Sequence, residues 1–83
     1  MINDLLVFTE ELVKSLVLEP DLVKVQSFED EDENPIIEIM VSEADMGRVI
    51  GKSGKMAKAI RTLVQATAFN KGIKRVKINI DGF

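Results

Sequence analysis

The sequence predicts an α+β fold of order α-β-β-α-α-β, one layer of helices on one small sheet. Three observations carry that expectation. Apolar residues recur at helical spacing in 3–18 and 54–70. They alternate with polar residues at the period of a strand in 22–28, 36–41 and 73–80. Finally, 83 residues, 46% of them hydrophobic, provide a modest core, enough for one helical layer on one small sheet. The chain reads as one unit over 1–83, without internal repeat or linker, and its β-α-turn-α-β centre spans about 36–81.

In the first helix, Ile2, Leu5, Leu12, Val13 and Leu16 fall in one broad stripe, with Leu6, Phe8 and Val17 at its margins. Val7 and Leu18 lie off the stripe and read as exposed. Asn3 is the expected N-cap, and Asp4 complements the helix dipole. Pro20 stops the helix, because its ring disfavours helical backbone at Glu19. In the first strand, Val23 and Val25 alternate with Lys24 and Gln26. The run Glu29-Asp30-Glu31-Asp32-Glu33-Asn34-Pro35 follows. Its carboxylates repel one another and are costly to bury, so it reads as a solvated hairpin loop that also repels nucleic acid. Its spacing does not fit a calcium loop, which needs alternate ligands and a central glycine.

The second strand places Ile37, Ile39 and Val41 on one face and Ile36, Glu38 and Met40 on the other. Ser42 is the expected N-cap of a short helix that ends at Gly51, with Asp45 where a capping-box acid would sit. Gly47 lies inside this helix at some cost in propensity, which a close packing contact or a close ligand approach would explain. In the next helix, Met56, Ala57, Ile60, Leu63, Val64 and Thr67 form the inner side. Lys55, Lys58, Arg61, Thr62 and Gln65 form the outer side. Gly72 fits the C′ position, beside Lys71. In the last strand Val76, Ile78 and Ile80 point one way, and Arg75, Lys77 and Asn79 the other.

The chemistry concentrates between the second and third helices. Gly51 and Gly54 stand three apart with Lys52 and Ser53 between them. Glycine takes positive φ and admits another chain close to the backbone. A turn that opens a helix presents N–H groups at its positive end. The charge balance points the same way. Residues 1–45 carry −11 and residues 46–83 carry +8, although the whole chain nets only −3. Such asymmetry suits a polyanion-binding face on one side.

The composition excludes most alternatives. There is no cysteine and no histidine, so thiol chemistry and the commonest general base and metal ligand are missing. No metal or other cofactor is expected. The serines and threonines show no recognised nucleophile pairing, and the carboxylates cluster in an exposed loop. Gly51-Lys52-Ser53 ends like a Walker A loop, but that motif needs glycine where Met46 stands, and it follows a strand rather than a helix. No apolar run is long enough to span a membrane, and no signal peptide is evident, so a cytoplasmic protein without catalytic activity is expected. With only four Phe and no Trp or Tyr, base stacking on sheet aromatics is unsupported. A glycine turn that clamps the backbone of about four nucleotides remains.

The string Gly47-Arg48-Val49-Ile50-Gly51-Lys52-Ser53-Gly54-Lys55, with Ala57-Lys58-Ala59-Ile60-Arg61-Thr62, resembles the KhpA (YlqC) family of small bacterial single-KH proteins. The element order matches the type II KH topology, which implies three helices packed on one face of a three-stranded mixed sheet, and the resemblance covers essentially the whole chain. It implies that Gly51 and Gly54 shape the loop and that Lys52 and Ser53 meet RNA phosphates. Arg48, Lys55 and Lys58 would add charge, and Ile50, Ile60 and Met40 would offer an apolar groove to the bases. Ala57 departs from the large aliphatic residue common at its position, which implies a shallower groove. The resemblance further implies a homodimer, or a heterodimer with the larger KH-containing protein KhpB (Jag or EloR), and RNA chaperone or regulatory work linked to cell elongation and division. A protein-interaction module of the same fold is the alternative.

Overall fold

The computed structural model describes residues 2–83. Among these, the order is α1 (Ile2–Lys14), β1 (Lys24–Glu29), β2 (Pro35–Val41), α2 (Met46–Ile50), α3 (Lys55–Asn70) and β3 (Lys77–Gly82). Short 3-10 turns precede β1 at Pro20–Leu22 and α2 at Glu43–Asp45, and another joins α2 to α3 at Lys52–Gly54. The sheet order is β1-β2-β3, with β1 antiparallel and β3 parallel to β2. This is the α+β KH fold expected, with a mixed sheet.

Strand alternation decides which face is covered. Ile37, Ile39 and Val41 are fully buried, and Ile78 nearly so. They meet Leu5 and Val13 of α1, Val49 of α2, and Ile60, Val64 and Ala68 of α3 in one core. The opposite face carries Lys24, Gln26 and Phe28 beside Met40, Glu38 and Ile36, which in turn neighbour Asp81, Asn79 and Lys77. Thr9, a polar residue inside the α1 stripe, is also fully buried, because its hydroxyl donates to the Leu5 carbonyl at 2.8 Å.

Several expected boundaries move, each for a physical reason. Helix α1 already includes Asn3, so Asn3 is not its cap; Met1 lies outside the described residues. The helix ends at Lys14 rather than Leu18. The N–H groups of Leu18 and Glu19, which would have continued it, donate instead to the two carboxylate oxygens of Asp45, each at 3.0 Å. Asp45 therefore does not complete a capping box. Ser42 makes no side-chain cap either; its hydroxyl donates to Glu19 Oε1 at 2.9 Å, with Asp45 Oδ2 at 3.2 Å.

Strand β3 starts at Lys77, not Ile73, because its parallel partner Ile36 is only the second residue of β2. Before it, α3 closes as foreseen at Gly72, which has φ 87°. The Gly72 N–H reaches the Phe69 carbonyl at 3.0 Å and the Ile73 N–H the Ala68 carbonyl at 2.9 Å, a Schellman end. At its other end β3 runs on to Gly82. The Phe83 N–H donates to Val41, and the Glu43 N–H donates back to Phe83 at 3.0 Å. On α3, Leu63 is 49% exposed and not an inner residue, whereas Ala68 is buried. The acidic run is a hairpin loop, held by Asp30 Oδ1, which accepts the N–H groups of Asp32 and Asn34 at 2.9 Å.

Candidate nucleic-acid interface

The turn between α2 and α3 depends on three residues with left-handed φ in a row of four. Gly51 stands at φ 75°, ψ 176°, a region that only glycine enters readily. Ser53 follows at φ 57°, ψ 28°, and Gly54 at φ 76°, ψ 11°. The Gly51 N–H closes α2 on Gly47 at 2.9 Å, and the Gly54 N–H returns to Gly51 at 3.2 Å. The two glycines answer different needs. A Cβ on Gly51 would sit 2.6 Å from the Met56 Cβ and 2.8 Å from its backbone nitrogen, so the turn folds directly against the first turn of α3. A Cβ on Gly54 would meet nothing within 4 Å, so there only the backbone angle favours glycine. Met56 is thus part of the turn's construction, which nothing in the local sequence pattern marks.

Lys52 and Ser53 occupy the apex and are exposed. Lys55 and Lys58 are exposed on α3 and three residues apart, hence on one face of the helix. Ile50, the last residue of α2, is half-buried beside Gly51. Arg48 is exposed on α2, with its Nε 4.0 Å from Asp45 Oδ1. At that separation, with the guanidinium half-exposed, the pair is worth little energetically. The Leu18 N–H, joined by the Glu19 N–H, the Ser42 hydroxyl and Arg48, holds the Asp45 carboxyl below the usual carboxylate range, against the opposing effect of its burial. Asp45 was expected only as a helix cap, yet it anchors the base of α2.

The expected apolar groove is only partly assembled. Ile60 is 1% exposed, a core residue that has no surface to offer a base. Met40 lies on the sheet face away from the helices. Ile50 keeps partial exposure at the turn, and Ala57 is buried in α3.

A family model described as the KH domain of KhpA and KhpB matches residues 7–80. This chain belongs to that family. It is 46% identical over 71 residues to the RNA-binding protein KhpA of Clostridium acetobutylicum, covering 86% of this chain and 92% of that protein. Against the KhpA of Clostridium perfringens the identity is 48% over the same length. Against that of Listeria monocytogenes it is 45% over 69 residues, covering 83% of this chain and 88% of the relative. Among solved structures the chain is similar to Era in complex with MgGDPNP and nucleotides 1506–1542 of 16S ribosomal RNA. The TM-score is 0.62 at 22% identity, over 95% of this chain and 30% of that one, and this likeness speaks to the fold alone. These KhpA relatives are named as RNA-binding proteins, and the matching family model is a KH domain. No helix among the described residues is long and apolar enough to cross a membrane.

Proposed function

We propose that this chain is a non-catalytic RNA-binding protein of the cytoplasm, one KH unit over 1–83, whose Gly51–Gly54 turn clamps the backbone of single-stranded RNA. One observation carries the reading. Gly51, Ser53 and Gly54 take left-handed backbone between two helices, which puts Lys52 and Ser53 at an exposed apex beside Lys55 and Lys58. In this reading Lys52 and Ser53 contact phosphates, and Arg48, Lys55 and Lys58 supply the surrounding positive charge. Ile50 lies against a base. Phosphate contacts set position and salt dependence, while base contacts specify. That several relatives bear the name RNA-binding protein supports the same reading.

A single clamp grips few nucleotides, so pairing would raise affinity through effective concentration. Exposed Leu18 and Leu63 support pairing with a second copy or with the larger protein KhpB. Chaperone or regulatory work tied to cell elongation and division would rest on this RNA binding.

The test is fluorescence anisotropy of a short single-stranded RNA with wild type and with Lys52→Asp/Ser53→Asp, at two salt concentrations. Both side chains are exposed, so circular dichroism should show an intact fold. Salt-sensitive binding that the double variant loses supports the clamp. Binding that survives two new negative charges at the apex removes RNA from this turn. If wild type binds no RNA, the chain is an interaction module for protein.

A further inference from the structure

A cleft of about 590 Å³ lies away from the glycine turn. It opens between the C-terminal half of α3, the segment leading into β3, and the β1–β2 hairpin, where Gln65, Phe69, Lys74, Arg75 and Lys77 line it. Along α3, Phe69 stands about 21 Å from Lys55, at 1.5 Å per residue. Phe69 is 67% exposed, more than Phe28 at 50% or Phe83 at 54%, and its ring joins no core. Beside it are three cations. The acid in the cleft wall is Asp30, whose carboxylate accepts the Asp32 and Asn34 N–H groups of its own hairpin; that acidic loop repels phosphates, so a strand in the cleft lies toward Phe69 and the three cations. The cleft therefore pairs a flat apolar ring with net positive charge, the combination by which proteins hold single strands: the ring stacks a base and the cations hold phosphates.

A track leads to it from the turn. Helix α3 carries no acidic residue. Lys55, Lys58, Thr62, Gln65 and Phe69 are all exposed and follow one another at three- and four-residue spacing, so they line one face of the helix. We propose that the cleft is a second contact for single-stranded RNA. Phe69 stacks one base, and Lys74, Arg75 and Lys77 hold the phosphates on either side of it. This rests on the reading of Gly51–Gly54 as an RNA clamp, and it extends the footprint beyond the roughly four nucleotides such a turn covers.

The experiment compares binding of two oligouridines, one of about four nucleotides and one of about twelve, within the range of single-strand site sizes. Wild type is set beside Phe69→Ala and Lys74→Ala/Arg75→Ala. All three positions are exposed, and matching thermal unfolding verifies the fold. The wild type should bind the longer RNA more tightly. Phe69→Ala should weaken the longer complex at least about fivefold and leave the shorter one unchanged. The double variant should flatten the slope of log K against log salt by about 0.7 per charge removed, for the longer RNA only. Variants that bind the longer RNA like wild type overturn the proposal, as does a wild type that gains nothing from length. If the substitutions spare RNA binding but turn a self-associated species into a monomer by light scattering, the cleft is an interface between copies instead. A wild type that binds neither oligomer defeats the clamp reading itself, and the second contact with it.

Discussion

The Leu18 N–H and the Asp45 carboxylate, 27 residues apart, meet in a 3.0 Å hydrogen bond that fixes the exit of α1 to the entry of α2. The second oxygen of the same carboxylate takes the Glu19 N–H. Two backbone donors that left the helix are thus satisfied by one side chain, and α2 is held at its base before it delivers the glycine turn.

Asp45→Asn is expected to destabilise the fold more than substitution of any exposed carboxylate, because the amide offers one acceptor oxygen where two are used. The effect should depend on pH. The native carboxyl binds its proton more weakly than the unfolded one does, so its contribution is complete above the ordinary carboxylate value of about 3.9. It is lost as pH falls from there through the lower native value. Urea unfolding of wild type and Asp45→Asn should therefore show a wide gap at neutral pH that narrows in acid. A gap that stays constant with pH would refute the carboxylate's role.

The two glycines of the turn should separate in a stability measurement. Gly54→Ala meets open space and bears only left-handed strain, roughly 1–2 kcal/mol. Gly51→Ala adds a collision with Met56 and should cost clearly more. Equal losses in chemical denaturation would contradict the packing described.

Gly47 is exposed within α2, and a Cβ there would meet nothing within 4 Å. No packing contact accounts for it. Gly47→Ala should stabilise by about 0.5–1 kcal/mol, visible as a higher Tm. If the variant is more stable yet binds RNA less well, close approach of the ligand is the reason for glycine.

Ile60 and Leu63, three residues apart on α3, should respond differently to truncation. Ile60→Ala opens the core and should cost about 2–5 kcal/mol. Leu63→Ala removes a half-exposed side chain and should cost roughly 1 kcal/mol or less. Similar losses for both, measured by denaturation of the monomer, would mean that Leu63 is covered.

What could be read from the sequence was local. Strand alternation has a strict period of two, so the buried set Ile37, Ile39 and Val41 follows from the pattern alone. The glycine turn was legible because both glycines and the cations around them lie within a few residues of one another. What could not be read depends on distant partners. The end of α1 is set by a carboxylate 27 residues away, and the start of β3 by where β2 begins. Leu63 was misplaced because a helical stripe has soft margins, and only the packing of α3 on the sheet decides which margin is covered. The expected base groove failed at Ile60 and Met40 for the same reason. One belongs to the core and the other to the far face of the sheet.

The parallel pairing of β2 with β3 has a kinetic corollary. The β1–β2 hairpin joins near neighbours and can zip from its acidic loop, whereas Ile36 finds Lys77 only after the whole α2–turn–α3 segment has doubled back. Non-local pairing of this kind carries its loop-closure entropy before it returns any contact, so arrival of the third strand is the expected slow event in folding. The glycine turn sits inside that closing loop. The hinge that presents Lys52 and Ser53 is therefore also the bend the chain must find before its sheet is complete, and substitutions there should register in the refolding rate as well as in binding.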